Sequence, residues 1–398
     1  MTAVITGIGV VAPSGRTTGE HWATVCAGES RVGPITLFDP SRYRTRTAGE
    51  VKDFDVMGDV DGRLLVQTDR WTWMGFDAAA KALADARLDL SAVDPYDFAV
   101  VQASSSGGNH FGQGELQKLW SKPDRRVGVY QSIAWFYAAT TGQLSIRHQA
   151  KGPSNVLVSE SAGGLDCLQH AARLVSRGTP IVLTGGLEAP LSPYALTCQL
   201  ASGRLSPVDE YRPFDAAASG YVPGEGGAVF VVEDLEHARA RGVPVIYAEI
   251  AGWGSTHDGT HAGAPSARQY GRAMKLALDR AATRADEVDV VIPDALGIPA
   301  YDRAEAEAIK DVFGSVAVTT HKSLTGRMYQ GGAALDAVTA VLAMRNNTVP
   351  VSTGVSEPAD GCELDFVPST TESAVDNVLI GARGFDGYNS SVVLRRVA

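Results

Sequence analysis

Four cysteines in 398 residues, at positions 26, 167, 198 and 362, lie far apart and form no CxxC pair. That spacing excludes a disulfide framework and suits a reducing cytoplasm. No apolar run reaches the ~18 residues needed to span a bilayer, so a membrane partner is not expected. Basic clusters are also missing: 35 Lys and Arg are scattered among 45 Asp and Glu, for a net charge of −10 and a pI near 5.3. A nucleic-acid face normally needs clustered cations, so none is expected here. The apolar start, MTAVITGIGVVAPSG, has no Lys or Arg before Arg16, which argues against a signal peptide. Low-complexity segments, heptad runs and long linkers are absent as well. What remains is 44% hydrophobic and 20% charged residues, with 43 glycines for tight turns. The expectation is a cytoplasmic globular protein of two or three structural units, on a prior of ~150 residues each.

Short β-branched runs alternate with helical stretches along the whole chain. Candidate strands are Ala3–Ile8, Phe98–Gln102, Val156–Ser159, Ile181–Thr184 and Ala228–Glu233, then Val245–Ile250, Val288–Ile292, Val316–Thr319, Val378–Gly381 and Ser391–Arg395. Leu165, Leu168, Ala172 and Val175 recur at helical steps and share one face. Asp69 is placed to cap a helix through Trp73, Met74 and Ala78. Such alternation predicts an α/β protein with helix-covered sheets. A charged stretch, DLEHARARGVP, separates the fifth candidate strand from the sixth, and the division between halves is placed there, at 1–240 and 241–398. Five strands in each half suggest an ancient duplication fused into one body.

Three local patterns invite a functional reading. Gly7-Ile8-Gly9-Val10-Val11-Ala12 matches a dinucleotide fingerprint, but Pro13, Ser14 and Gly15 follow at once and no second strand ends in an acid near position 30. It reads as a strand and a turn. His257 and His261 have metal-ligand spacing for a helix, yet Gly254, Gly259 and Gly263 around them predict a loop instead. His21 and His237 are placed on solvated helix faces. Ser159-Glu160-Ser161-Ala162-Gly163 follows a buried-looking strand and precedes the helix through Leu165. A nucleophile at such an elbow would be exposed, with a helix N-terminus to favour developing negative charge. From the residues alone Ser161 is either that nucleophile or an N-cap, a common use of serine.

At this elbow VLVSESAGGLDCL resembles the active-site turn of the β-ketoacyl synthases, in which a cysteine opens the helix and is acylated. Five more blocks agree in order: AVITGIGVVAPSG; Phe214–Glu233, for PFDxxxxGxxxGEGAxxxxLE; Pro293–Ile309, where the family has AHGTGTxxND; His321–Ala334, for KSxxGHxxGAAG; and Gly384–Arg396, for GFGGxNxxxxLRR. The resemblance covers essentially the full length. It implies a thiolase-like fold, two duplicated α/β halves packed as α-β-α-β-α layers.

The departures bear on function. The family's condensing chemistry uses a thiolate to take up the acyl group and two histidines to assist decarboxylation and stabilise the anion. The corresponding positions here are Ser161, Leu296 and Arg327. Leucine moves no proton, and a guanidinium of very high pKa is no base. Lys322, Glu305 and Glu225 remain where the family places charges that support the site. This combination, with VYQSIAWFYAATTGQLSIRH (Val129–His148) and TGRMYQGG (Thr325–Gly332), is similar to the chain-length factors, or ketosynthase β subunits, of bacterial type II polyketide synthases; these usually carry glutamine where Ser161 stands. The resemblance implies a chain without a condensing site of its own. It would pair with an intact ketosynthase α subunit, in a complex of the acyltransferase class. It would form part of a polyketide tunnel, with substrates brought on the phosphopantetheine of an acyl carrier protein and no metal or other cofactor.

By the same resemblance the tunnel-gating helix is Gly107–Trp120. Its size-setting positions are Asn109, Gly112 and Leu116, and Tyr194 lies at the tunnel end. Octaketide-type members carry bulky aromatics at the first and third of these, so the smaller residues here imply a longer tunnel. The alternative is that Gly112 only permits close packing. The strand Asn155–Glu160 and a helix through Trp135 and Phe136 are expected at the α-subunit interface. Two other functions stay open: an acyltransferase or thioester hydrolase using Ser161 with His110 or His321 as base, and a malonyl decarboxylase.

Overall fold

The computed structural model describes residues 1–56, 60–259 and 265–397. Eleven strands form its main sheet: β1 (Ala3–Val11), β2 (Phe98–Ala103), β3 (Ser154–Leu157), β4 (Ile181–Glu188), β5 (Gly226–Asp234), β6 (Ala248–His257), β7 (Val290–Ile292), β8 (Ala317–Val318), β9 (Asp365–Phe366), β10 (Asn377–Arg383) and β11 (Tyr388–Arg395). Their spatial order is β9-β8-β7-β10-β11-β6-β1-β5-β4-β2-β3. The arrangement repeats. In the first half β3, β2 and β4 run parallel, and β5 and then β1 are added antiparallel. In the second half β8, β7 and β10 run parallel, and β11 and then β6 are added antiparallel. The halves meet along a short antiparallel seam, Val4 opposite Glu249 and Ile5 opposite Ala248. Ten of these strands are those expected from the β-branched runs. β3 is shifted towards the N-terminus, and the two-residue β9 had no signal.

The helices that matter are α1 (Thr18–Ala27), α2 (Arg70–Asp85), α3 (Asn109–Ser121), α4 (Gly163–Ser176), α5 (Pro193–Ala201), α6 (Ala267–Ala281), α7 (Pro299–Phe313) and α8 (Gln330–Asn346). α2 covers the outer face of the first half of the sheet, and α6, backed by α7, covers that of the second. Between the halves lie α4 and α8, each touching strands of both. The result is the thiolase-like α-β-α-β-α layering. α8 is buried on every side from Gln330 to Met344, as a helix apolar all round must be. α4 is amphipathic and buries Leu165, Leu168, Ala172 and Val175. Asp69 caps α2, accepting from the Trp71 N–H at 3.2 Å.

The glycines of the dinucleotide-like motif have a packing purpose. Strand β1 runs straight through them, and a Cβ on Gly7 or Gly9 would lie 2.2 Å from the Ala82 carbonyl oxygen or 1.8 Å from that of Ala78, both on α2. The absence of side chains lets helix and strand touch. Among the described residues no helix is long and apolar enough to cross a membrane.

Some expectations need correction. His21 is not on a solvated face. It is fully buried on α1, with Nδ1 2.8 Å from Ser14 Oγ and Nε2 2.9 Å from Thr339 Oγ1, and burial pushes its pKa down to about 3. His237 is half-buried, with Nδ1 2.9 Å from the Glu233 carboxylate. His257 ends strand β6 rather than lying in a loop and stacks edge-on against Tyr388, while His261 lies outside the described residues.

Candidate functional site

The elbow forms as the sequence suggests, with a different residue in the strained position. β3 ends at Leu157, Glu160 adopts a left-handed φ of +50°, a turn over Glu160–Ala162 follows, and α4 begins at Gly163. Ser161 is not the N-cap: Ala162 holds that place without a side-chain bond. The Ser161 side chain is buried, and its Oγ donates to Glu160 Oε1 at 2.9 Å. Glu160 Oε2 in turn accepts from the Phe385 N–H at 3.0 Å.

Leu296 and Arg327 lie beside this elbow, so the three positions named from the resemblance border one region. Leu296 is buried in a loop pinned by α7. Glu305 accepts from the N–H groups of Asp294 (2.7 Å) and Ala295 (2.8 Å) and from the Tyr270 hydroxyl (2.7 Å). Asp302 accepts from the Gly297 N–H at 2.9 Å and the Phe214 N–H at 2.8 Å. Burial pushes the Asp302 carboxyl up to about 8, and burial with the nearby Asp294 charge raises Glu305. These carboxyls accept backbone donors and hold the loop still.

Arg327, at the position the resemblance assigns to a histidine, is tied down. Its Nη2 lies 3.1 Å from Asp294 Oδ2 and donates to the Arg383 carbonyl at 2.9 Å, and its Nε lies 3.9 Å from Glu160 Oε1. Burial disfavours its charge, yet Asp294 and Glu160 outweigh that and raise its pKa further. The group is a fixed cation with its carboxylates already supplied.

The two histidines considered as bases lie elsewhere. His110 is exposed on the first turn of α3. His321 is buried, its Nε2 3.0 Å from Thr319 Oγ1 and its Nδ1 without a partner, and burial, with the His21 and Lys322 charges, brings its pKa down to about 3. Among the described residues no histidine hydrogen-bonds the Ser161 hydroxyl. A serine without a positioned base is a poor nucleophile, so the geometry does not support the acyltransferase or hydrolase alternative. Arg327 offers no base for the decarboxylase alternative either.

The supporting residues are spread out. Lys322 is buried, paired with Asp336 of α8 and donating to the Pro293 carbonyl at 3.1 Å. Glu225 is a bidentate acceptor of Arg70 (2.7 and 3.0 Å) and also takes the Val51 N–H at 3.0 Å. Sequence reasoning missed Asp336, Glu188 and Glu160. Asp336 is a lone acid in an otherwise apolar helix, which is a legible sign of a buried partner. Glu188 ends β4 fully buried and collects the N–H groups of Ser105 (2.6 Å) and Ser106 (2.8 Å) and the Gln330 amide.

A cavity of about 450 Å³ opens in front of Arg327 and Leu296, walled by Tyr221, Tyr329 and Phe385 and by Cys198, Gln199 and Arg204 at and beyond the end of α5. The positions expected to set tunnel size lie to one side, where α3 packs on α5. Asn109 and Gly112 are buried, while Leu116 and Tyr194 are exposed. Gln113 Oε1 accepts from the Tyr194 N–H at 2.8 Å. The space expected over Gly112 is filled by this chain itself: a Cβ there would come within 2.6 Å of Trp135 Cδ1. Trp135 and Phe136 sit in a turn between the helices Gln131–Ala134 and Ala139–Arg147, not within a helix. With Tyr137 they are about half exposed, at 51, 44 and 45%. β3 is the last strand of the sheet, and among the described residues its outer edge is unpaired.

Comparison with known proteins agrees with this geometry. The model of the beta-ketoacyl synthase N-terminal domain matches residues 2–238, and that of the C-terminal domain matches residues 247–356. The chain is 50% identical to the tetracenomycin polyketide synthase ketoacyl synthase beta subunit of Streptomyces glaucescens, over 99% of this chain and 98% of that protein. It is 34% identical to the 3-oxoacyl-[acyl-carrier-protein] synthase 2 of Coxiella burnetii, over 99% and 98%. Among solved structures, the ishigamide ketosynthase/chain length factor superposes with a TM-score of 0.94 at 27% identity, covering 100% of this chain and 99% of that one. A type II polyketide acyl-carrier protein complex with its hexaketide-bound ketosynthase gives 0.90 at 25% identity, with coverage of 100% and 99%.

Proposed function

The chain belongs to the β-ketoacyl synthase family, as a ketosynthase beta subunit or chain-length factor of a type II polyketide synthase, and from that premise we propose that it acts without catalysis of its own. It forms a heterodimer with an intact ketosynthase α subunit and supplies part of the wall of the tunnel in which the poly-β-ketone grows. The observation that carries this reading is Arg327, a cation locked between Asp294 and Glu160 where condensing chemistry needs a mobile proton. With Leu296 and a hydroxyl committed to Glu160 beside it, none of the three positions supplies a nucleophile or a base.

The surface that fits the α subunit is the open edge of β3 with the exposed Trp135–Phe136–Tyr137 turn. An unpaired strand edge is a template for a further strand, and aromatics are favoured in interface cores. Acyl carrier protein, of the kind complexed in the hexaketide-bound relative, visits the pair. The halves 1–240 and 241–398 act as one body in this role. Chain length is set sterically, since overfilling a packed wall is costly. Asn109 and Leu116 are small enough to favour a product longer than an octaketide, and the Trp135 ring over Gly112 is a further part of the gauge. Tyr194 lies at the far end.

Co-expression with the cognate α subunit, followed by product mass, tests this. Gly112→Trp should drive the Trp135 ring aside and shorten the polyketide, and unchanged length would remove the ruler. The non-catalytic reading fails if this chain alone condenses malonyl units at a rate comparable with that of the pair.

A further inference from the structure

The cavity in front of Arg327 keeps a lining that the tunnel function does not use. Arg204 borders it with its guanidinium 4.2 Å from the centre of the Phe385 ring and 5.1 Å from that of Tyr301, and Nη2 donates to the Tyr301 hydroxyl at 2.9 Å. Among the described residues no carboxylate lies within 4.0 Å of it, unlike Arg327. Gln199 on α5 is 3% exposed and lines the same cavity. Its Nε2 donates to the Pro190 carbonyl at 3.0 Å, while its Oε1 is buried with no donor. Tyr221, Tyr329, Leu296 and Phe385 add flat or apolar wall, while Arg327, already paired with Asp294, and Ser202 also border the cavity. Glu160 is the one carboxylate on the lining; Ser161 and the Phe385 N–H already occupy its oxygens.

We propose that this cavity is a binding site for an aromatic acid of two or three fused rings. Its carboxylate would meet Arg204, and its rings would lie among the tyrosines and Phe385. A volume of about 450 Å³ suits such a molecule, and pockets for compounds of this kind run from about 300 to 1,000 Å³. The site needs no condensing chemistry, and it stands or falls independently of the ruler.

The test titrates the full-length chain with 3-hydroxy-2-naphthoate, which carries a carboxylate on two fused rings, and follows its fluorescence. Saturable binding should be weakened about tenfold to a hundredfold by Arg204→Met, as for a lost charged hydrogen bond, and similarly by using 2-naphthol as ligand. Glu160→Gln, which removes the opposing charge, should tighten it. Cys198, an exposed cysteine on the cavity wall, gives a readout in the unaltered chain: the naphthoate should slow its alkylation by iodoacetamide, mapped by peptide mass. No saturation up to ~1 mM, a Kd range in which binding is very weak, would overturn the proposal. So would equal binding by a folded Arg204→Met chain, or unchanged alkylation of Cys198 at saturating naphthoate.

Discussion

The pocket around Arg327 and the face around Trp135 treat their polar and apolar groups in opposite ways. In the pocket nearly every charge has its partner within the chain: Arg327 has Asp294, Lys322 has Asp336, and Glu305 and Asp302 have backbone donors. On the face, a strand edge is unpaired and three consecutive aromatics are left half exposed. A working condensing site keeps strong groups available for substrate. Here Arg327 and the acids around it are met within the chain, while unpaired backbone and apolar rings lie on the surface. The difference separates a region kept for stability from one kept for association.

The contrast can be broken most directly at Arg327. Arg327→Leu leaves Asp294 buried and unpaired, and should cost about 3–5 kcal/mol of stability by chemical denaturation, as when one member of a buried ion pair is removed. A change under ~1 kcal/mol would mean that the pocket is not self-sufficient. On the face, Trp135→Ala should change the stability of the isolated chain little, since half of the ring is already exposed. It should weaken pairing with the α subunit by about 2 kcal/mol or more, as a buried aromatic anchor does, measured by equilibrium sedimentation of the pair.

The two buried histidines sharpen the comparison through pH. His21 and His321 have folded values near 3 against 6.5 for the unfolded chain, so the unfolded state takes up more protons between those limits. Stability from these two is therefore complete above about pH 6.5 and falls as acid is added, by about 2 kcal/mol for each histidine at pH 5. Raised carboxyls such as Asp302 act in the opposite sense, so the measurement is the difference between the parent and His321→Gln, which should narrow steadily from pH 7 to pH 5. The smallest effect is expected of Ser161→Ala. It loses one hydrogen bond, about 1 kcal/mol, and should leave the product of the reconstituted pair unchanged; a large fall in product would restore Ser161 as a working group.

Much of this organisation was legible in the residues. Ten β-branched runs became the ten strands of the two matching halves, because short apolar runs bounded by turn residues have few other uses. The helix face of Leu165 and Leu168 and the Asp69 cap were equally clear. β9 was not, since two residues carry no periodicity. His21 was misplaced because its partners, Ser14 and Thr339, come from a turn and from a helix more than three hundred residues away. Ser161, Leu296 and Arg327 could be named from the resemblance, but the bonding that joins them was not legible. That depends on Glu160, whose backbone conformation brings its carboxylate between Ser161 and Arg327. Gly112 looked like vacant space because the indole that fills it is contributed from position 135.

The position of β1 in the sheet has a consequence for synthesis. It leaves the ribosome well before either neighbour, since β5 and β6 are both encoded beyond residue 225. A nascent chain must therefore carry an unflanked, largely apolar segment until more than two hundred further residues have been made. Such distant pairing makes for slow assembly and a risk of aggregation, which places this molecule among those that gain most from a chaperone while they are being made.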